Sequence, residues 1–455
     1  MVSRHRVALG GVLMGNAVVF AGVDPPTRVA TVAVVLFLMV DLRRIPAVPR
    51  LHRVAMWTAA VLVVLQVVPL PEPFRRLLQP GFAEVMADGW APLSLAPWAT
   101  VSAAGAGVVL LGVALTAARV AATRSGLPLL LGLLAVTGVL IAVLGLAGEA
   151  GTPEKLLLVR DSPPGSHPYG PFVNPNHFAQ AMELTMPACL VLLAAGARRL
   201  RVRGGRREIA AVSVLSSSVA VAVTAAALLR SGSRGGALFL AVALAATAIL
   251  WVRPFRFRGR RWPALVVGVL LVALVAGLSW NRLAVLEEDF RELIAVEGVD
   301  GNSRWDLWTG TVDSWRRSPV VGSGLGSYRF VIGMDKPATG ESALEQAHND
   351  WLEWASTTGL IGVAAAVLFA AGIALLLAPG KVRRQRYEQR YALAGAALAI
   401  AATGLHEMIG FGLQTPVNRL LLAAWVGLLW GLAGRSGGRR RSLEDQNNER
   451  EGGLG

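Results

Sequence analysis

Apolar residues along this chain gather into long unbroken runs, not the alternating or narrow helical stripes that a water-soluble core requires. Twelve runs stand near 7–22, 28–42, 54–70, 99–118, 127–147, 178–197, 209–228, 236–252, 263–280, 359–378, 391–409 and 419–434. Each reads as a helix able to cross the hydrocarbon of a bilayer, where only structures that satisfy their own backbone persist. The pattern predicts an all-α polytopic membrane protein with about twelve transmembrane helices. Nine helices fall within residues 1–280, a large loop occupies 281–358, three helices lie in 359–434, and 435–455 is a polar, Gly-rich cytoplasmic tail expected to be disordered. The first run, preceded by Arg4, His5 and Arg6 and followed by Val19-Phe20-Ala21, imitates a signal peptide. Eleven further runs favour an uncleaved first helix.

Three connections are long: 71–98, 148–177 and the 78-residue stretch 281–358. In the last, Trp305, Trp308, Val312 and Trp315 repeat at helical spacing until Pro319, behind a capping-box-like pair Ser303 and Asp306. This predicts a folded loop of short helices with an aromatic face on the membrane surface. A second loop helix is expected from about Ser342 to Thr358, with Leu344, His348, Trp351, Leu352 and Ala355 on one face.

Composition agrees with the pattern: 54% of residues are hydrophobic and 16% charged, against about 25% charged in soluble chains. A soluble enzyme, a coiled coil and a disulfide scaffold are excluded, the last because Cys189 stands alone. The net charge of +15 suggests nucleic acid until its distribution is considered. Even-numbered connections and both termini are strongly basic, while odd-numbered connections carry an acidic excess. The basic runs therefore orient the protein, with both termini cytoplasmic, and nucleic acid is not an expected partner.

Candidate chemistry lies on the odd, outward side. Asn174 and Pro175 cap the sixth helix, with Asn176 and His177 in its first turn and Glu183 about two turns deeper. His177 reads either as a polar interface residue or as part of a site. Glu183, ionisable at membrane depth, is a functional group or the buried partner of an arginine. The turn Leu229-Arg230-Ser231-Gly232-Ser233-Arg234-Gly235-Gly236 sets two arginines outside with no acid nearby in sequence. Arginine forks match phosphate oxygens, so phosphate binding is preferred over headgroup snorkelling. Arg304, at the start of the tryptophan helix, also suits an anion. His348, followed by Asn349, is a neutral imidazole able to act as a base toward a sugar hydroxyl. The six histidines are scattered without metal-ligand spacing, and neither metal nor cofactor is expected. Gly322-Ser323-Gly324-Leu325-Gly326 imitates a dinucleotide fingerprint but lacks any βαβ context.

Together these residues resemble the bacterial O-antigen ligase and O-antigen polymerase superfamily. The resemblance is carried by His348-Asn349 followed by Gly359 and Gly362, by NPNHFA at 174–179, and by SRGG at 233–236. It also rests on the Arg304…Trp308…Trp315…Pro319…Gly322-x-Gly324 run, and on PLP at 69–71 with PLSL at 92–95. It spans most of residues 60–435. The resemblance implies a glycosyltransferase C-like helical bundle with an outer-loop cap, in the bacterial plasma (inner) membrane with its active site on the periplasmic face. It implies inverting, metal-independent transfer of a glycan from undecaprenyl diphosphate to a sugar hydroxyl of lipid A-core, or to a second lipid-linked glycan in a polymerase. The motif positions then assign His348 to acceptor activation and Arg234 and Arg304 to the donor diphosphate. Arg230 would assist, with Asn174, Asn176, His177, Glu183 and Asn349 as possible lining. A membrane transporter is the alternative class.

Overall fold

The computed structural model describes residues 2–40, 47–83, 88–152, 155–162, 166–202, 207–240, 243, 304–335 and 346–452. Helices dominate: α1 (Val2–Val18), α2 (Pro25–Val40), α3 (Arg50–Val67), α4 (Glu72–Leu78), α5 (Pro97–Ala121), α6 (Gly126–Gly151), α7 (Pro175–Arg201) and α8 (Arg207–Arg230) form the N-terminal part. A further helix opens at residue 234 and is described through 240. Then follow α9 (Arg304–Arg317), α10 (Tyr328–Asp335), α11 (Asp350–Leu376), α12 (Pro379–Arg383), α13 (Tyr387–His406) and α14 (Pro416–Gly452). The two-residue strands Lys155–Leu156 and Arg160–Asp161 pair antiparallel in the connection after α6.

Seven described helical segments are long and apolar enough to cross a membrane: α3, α5, α6, α7, α8, Asp350–Arg383 and Pro416–Arg435. The chain is thus a polytopic membrane protein. Helices also occupy the first, second and eleventh expected runs, as α1, α2 and α13, but each is shorter or less apolar. The eighth run is described only at its start, and the ninth, 263–280, lies outside the described residues.

α7 is the axis of the bundle, buried from Phe178 through Val191. Pro187 interrupts its hydrogen-bond ladder, and the Trp425 indole of α14 donates to the Leu184 carbonyl beside the break (2.7 Å). α14 lies against α5 through Gly427 and Gly431, where a β-carbon would come within 2.2 and 2.4 Å of the Ala114 and Ala118 carbonyls. Small residues four apart allow this backbone approach where lipid offers no hydrophobic drive for association. α14 continues beyond the expected helix end at 434 to Gly452.

In the large loop, Leu307, Thr311 and Ser314 of α9 are buried, as is Ser318 just after it, whereas Trp305 is 69% exposed. The Thr311 hydroxyl bonds Tyr328 (2.7 Å), which ties α9 to α10. One expectation there is corrected: the loop helix opens at Asp350 and not near Ser342. It ends, as expected, before Gly359, whose non-helical backbone (φ 61°, ψ −167°) forms a kink that divides α11 into a loop segment and a membrane segment running to Leu376.

That kink is a docking site. Leu360 N–H donates to the Pro319 carbonyl (2.8 Å), Ile361 N–H to Val320 (3.2 Å), and Gly324 N–H to Thr357 (3.0 Å). The Gln66 amide grips the same junction, donating to Val321 and Thr357 carbonyls and accepting from Leu325 N–H. Gln79 donates to the Gly322 carbonyl (2.7 Å). The Gly322–Gly326 turn is therefore a structural clasp between loop, α3 and α11, and together with residues 319–320 it supplies partners to the Thr357 carbonyl and the Leu360 and Ile361 N–H groups at the kink.

Candidate functional site

Asn174 caps α7, its side chain accepting from Asn176 N–H (2.8 Å), and Pro175 follows at the first helical position. This cap puts Asn176, His177 and Gln180 on one side of the helix start. They face the connection between α13 and α14, residues 407–415. Asn176, His177, Gln180, His348, His406, Ile409, Gly410, Phe411 and Gly412 line a small pocket.

His348 reaches this pocket from the loop side. It does not sit on a helix, as the periodicity suggested. It adopts a left-handed conformation (φ 51°) ahead of the N-cap Asn349, whose side chain accepts from Leu352 N–H (3.1 Å). Asparagine is the better helix terminator, so the capped helix starts at Asp350 and His348 is left in the turn. Glu353 reaches back to Ala347 N–H (3.1 Å) and closes that turn. A non-glycine residue held at positive φ is a strained position that its surroundings must impose.

Phe411 stands between two of the imidazoles. Its ring meets His177 at 4.5 Å and 88°, and His348 at 4.5 Å and 71°. His177 Nδ1 bonds the Thr415 hydroxyl (3.0 Å), which fixes its ring. The third imidazole, His406, bonds Glu183 from Nδ1 (2.8 Å). Glu183 thus has a histidine partner, not the arginine considered from sequence, and it lies behind His406, fully buried.

Behind Gln180 lies a carboxylate cluster. Gln180 donates to Glu407, Leu413 N–H donates to the same Oε1 (2.9 Å), and Gln414 donates to Asp350 (3.3 Å) and Glu353 (2.9 Å). Burial and the neighbouring Asp350 carboxylate push Glu407 above the usual carboxylate range, so at neutral pH it keeps its proton. Asp350 N–H in turn donates to the Glu407 carbonyl (3.1 Å). This network ties the start of α11 to the end of α13.

The arginine turn lies against His406. Ser233 caps the helix that opens at Arg234, its Oγ accepting from Gly236 N–H (3.2 Å). A β-carbon on Gly235 would meet the His406 ring at 2.9–3.3 Å, so the residue after Arg234 lies directly on that imidazole. Arg230 does not stand on an acid-free turn, as the local sequence implied. Its guanidinium forms a two-pronged pair with Glu149 at the end of α6 (2.8 and 2.9 Å), and the Tyr169 hydroxyl donates to the same carboxylate (3.1 Å). Glu149 is 81 residues away, which is why no local pattern shows it. Arg304 opens α9, and its side chain lies outside the described residues.

The structure therefore brings His348, His177, Asn176 and His406 to one pocket, with Gly235 of the arginine turn packed on the His406 ring and Glu183 behind it. His406, Phe411 and Gln180 were not singled out from sequence. A Gly-Phe-Gly turn (410–412) directly after a helix ending in His406-Glu407 was the available signal. Among the described residues, no group of three or more His, Cys, Asp or Glu side chains is placed to hold a metal ion.

The fold and site define a helical membrane protein with an imidazole-lined pocket beside an arginine turn. Residues 219–367 match the family model described as O-antigen ligase, in agreement with the superfamily resemblance of the motifs. The matched stretch holds Arg230, Arg234, Arg304 and His348, while the α7 entrance and His406 lie outside it. No curated protein matches the chain.

Proposed function

We propose that the protein is a glycosyltransferase of the O-antigen ligase type, transferring a glycan from undecaprenyl diphosphate to a sugar hydroxyl at the periplasmic face of the bacterial inner membrane. The acceptor is lipid A-core or a similar glycolipid in a ligase, and a second lipid-linked glycan in a polymerase. One observation carries the reading: the pocket sets His348 across from an imidazole that lies against the residue following Arg234. A proton acceptor thus shares a pocket with an imidazole that touches the anion-binding turn. Transport would call for matching interrupted helices around a central path. The kinked α11 is instead sealed at its break by the 319–324 clasp.

In this mechanism Arg234 holds the diphosphate, with Arg304 approaching from the loop. The acceptor hydroxyl attacks the anomeric carbon from the opposite face and inverts it. His348 takes the hydroxyl proton, and the bonding pair of the broken carbon–oxygen bond leaves with the diphosphate. Fixed positive charge at the leaving group stabilises the charge that develops there. Arg230, held by Glu149, anchors the turn that presents Arg234.

The test is His348→Ala, assayed on one preparation for yield, donor binding and transfer rate. General-base assistance is worth about 10²–10⁴-fold, so transfer should fall by that factor while undecaprenyl-diphosphate binding persists. Transfer at the parent rate removes His348 from the mechanism.

A further inference from the structure

His406 is the pocket imidazole with a carboxylate behind it, and its placement differs from that of His348. The His348 ring lies on the Phe411 side of the pocket. The His406 ring lies between Gly235 and Gly410, whose added β-carbons would meet it at 2.9 and 3.3 Å. Glycine at both positions lets the imidazole approach two backbones closely, one of them that of the arginine turn. Its Nδ1 bonds Glu183 at 2.8 Å, with Glu183 1% and His406 9% exposed. A carboxylate with so little access to water needs a cationic or proton-donating partner, and this one faces the imidazole.

We infer that His406, held by Glu183, is a second functional group of the site: an imidazolium that binds the terminal phosphate of the leaving diphosphate. This rests on the transferase reading above. His406 contacts the leaving group, and Glu183 is a positioning residue that orients the imidazole. In the transfer step the acceptor oxygen bonds to the anomeric carbon and the carbon–oxygen bond to phosphate breaks. Its electron pair passes to the phosphate oxygen, the hydroxyl proton goes to His348, and His406 donates a hydrogen bond without losing its proton. The terminal phosphate gains charge in this step, so the contact strengthens as the bond breaks. Gly235 acquires a specific purpose, since a side chain there would displace the ring from the arginine turn.

The experiment measures binding of undecaprenyl diphosphate and undecaprenyl monophosphate to the full chain in lipid nanodiscs. The parent should prefer the diphosphate. His406→Gln keeps a donor for Glu183 but carries no charge; it should weaken diphosphate binding about tenfold and leave monophosphate binding unchanged. Glu183→Gln should reproduce that selective loss, as should Gly235→Ala, which leaves both partners in place. Arg234→Ala should weaken both ligands together. A merely structural role predicts equal losses for the two ligands in step with melting temperature, and that result overturns the inference. So does an unchanged diphosphate preference in His406→Gln and Glu183→Gln. Failure of the parent to bind either lipid phosphate, by contrast, refutes the transferase reading itself.

Discussion

Gly359 provides a quantitative test of how the loop is fastened to the helical bundle. Its backbone (φ 61°, ψ −167°) lies in a region that essentially only glycine occupies. Forcing a side chain there costs about 1–3 kcal/mol in backbone strain. An added β-carbon would also stand 2.4 Å from the Val320 carbonyl carbon and oxygen and 2.6 Å from Val321 N. These are backbone atoms and cannot swing aside. Relief requires the 319–321 strand of the clasp to move off, which loses the Leu360→Pro319 and Ile361→Val320 hydrogen bonds at about 1 kcal/mol each. Gly359→Ala should therefore destabilise the fold by about 3–5 kcal/mol. Gly107→Ala is the control: it sits in α5 with nothing within 4 Å of the added carbon. There alanine is intrinsically favoured, by about 1 kcal/mol in an exposed helix. Melting of the purified protein in detergent, followed by tryptophan fluorescence, should show Gly359→Ala several degrees below the parent and Gly107→Ala at or above it. Equal melting of the two variants would falsify the claim that the kink depends on glycine.

Arg234→Lys keeps the charge but not the planar fork, so transfer activity should drop at least tenfold; parental activity would show that point charge suffices. A double-mutant cycle on Arg230→Met and Glu149→Gln should give a coupling of about 1–2 kcal/mol, between the values for exposed and buried charged pairs, since the side chains are 31% and 13% exposed. A coupling near zero in denaturation measurements would mean that the pair does not anchor the turn. Glu407 has a raised folded-state pKa, so the folded protein holds a proton that the unfolded chain releases. Its contribution is present below the ordinary carboxylate range and is lost as pH rises through neutrality into mild alkali. Melting temperature should thus decline between about pH 5 and pH 9, and Glu407→Gln should flatten that decline. An identical pH profile in the variant would contradict a protonated Glu407 in the fold.

Several features were legible along the chain because they depend on neighbours a few residues apart. Helix entry at Asn174-Pro175 follows from local capping chemistry and is found as expected. The helical character of 304–317 follows from its period, and the membrane class follows from the apolar runs. His348 was selected for the chemistry of its side chain, yet its position was misread. Apolar spacing around it suggested a helix, whereas Asn349 stops the helix one residue later and turns His348 into the left-handed region.

What the sequence by itself determined is the class of the molecule: a helical membrane protein carrying arginines and an imidazole in the motif order of O-antigen ligases. Those properties are summed over short stretches, through hydropathy, caps and spacing. Only the tertiary structure decided which of these groups meet. Glu149 reaches Arg230 across 81 residues and Glu183 reaches His406 across 223. The Gly235 backbone lies against that same imidazole, and Gln66 bridges to Val321 across 255 residues. Pairings of this kind depend on helix packing, where small residues set how closely backbones approach. A buried charge or freed backbone group must then find its partner on whichever helix that packing brings alongside.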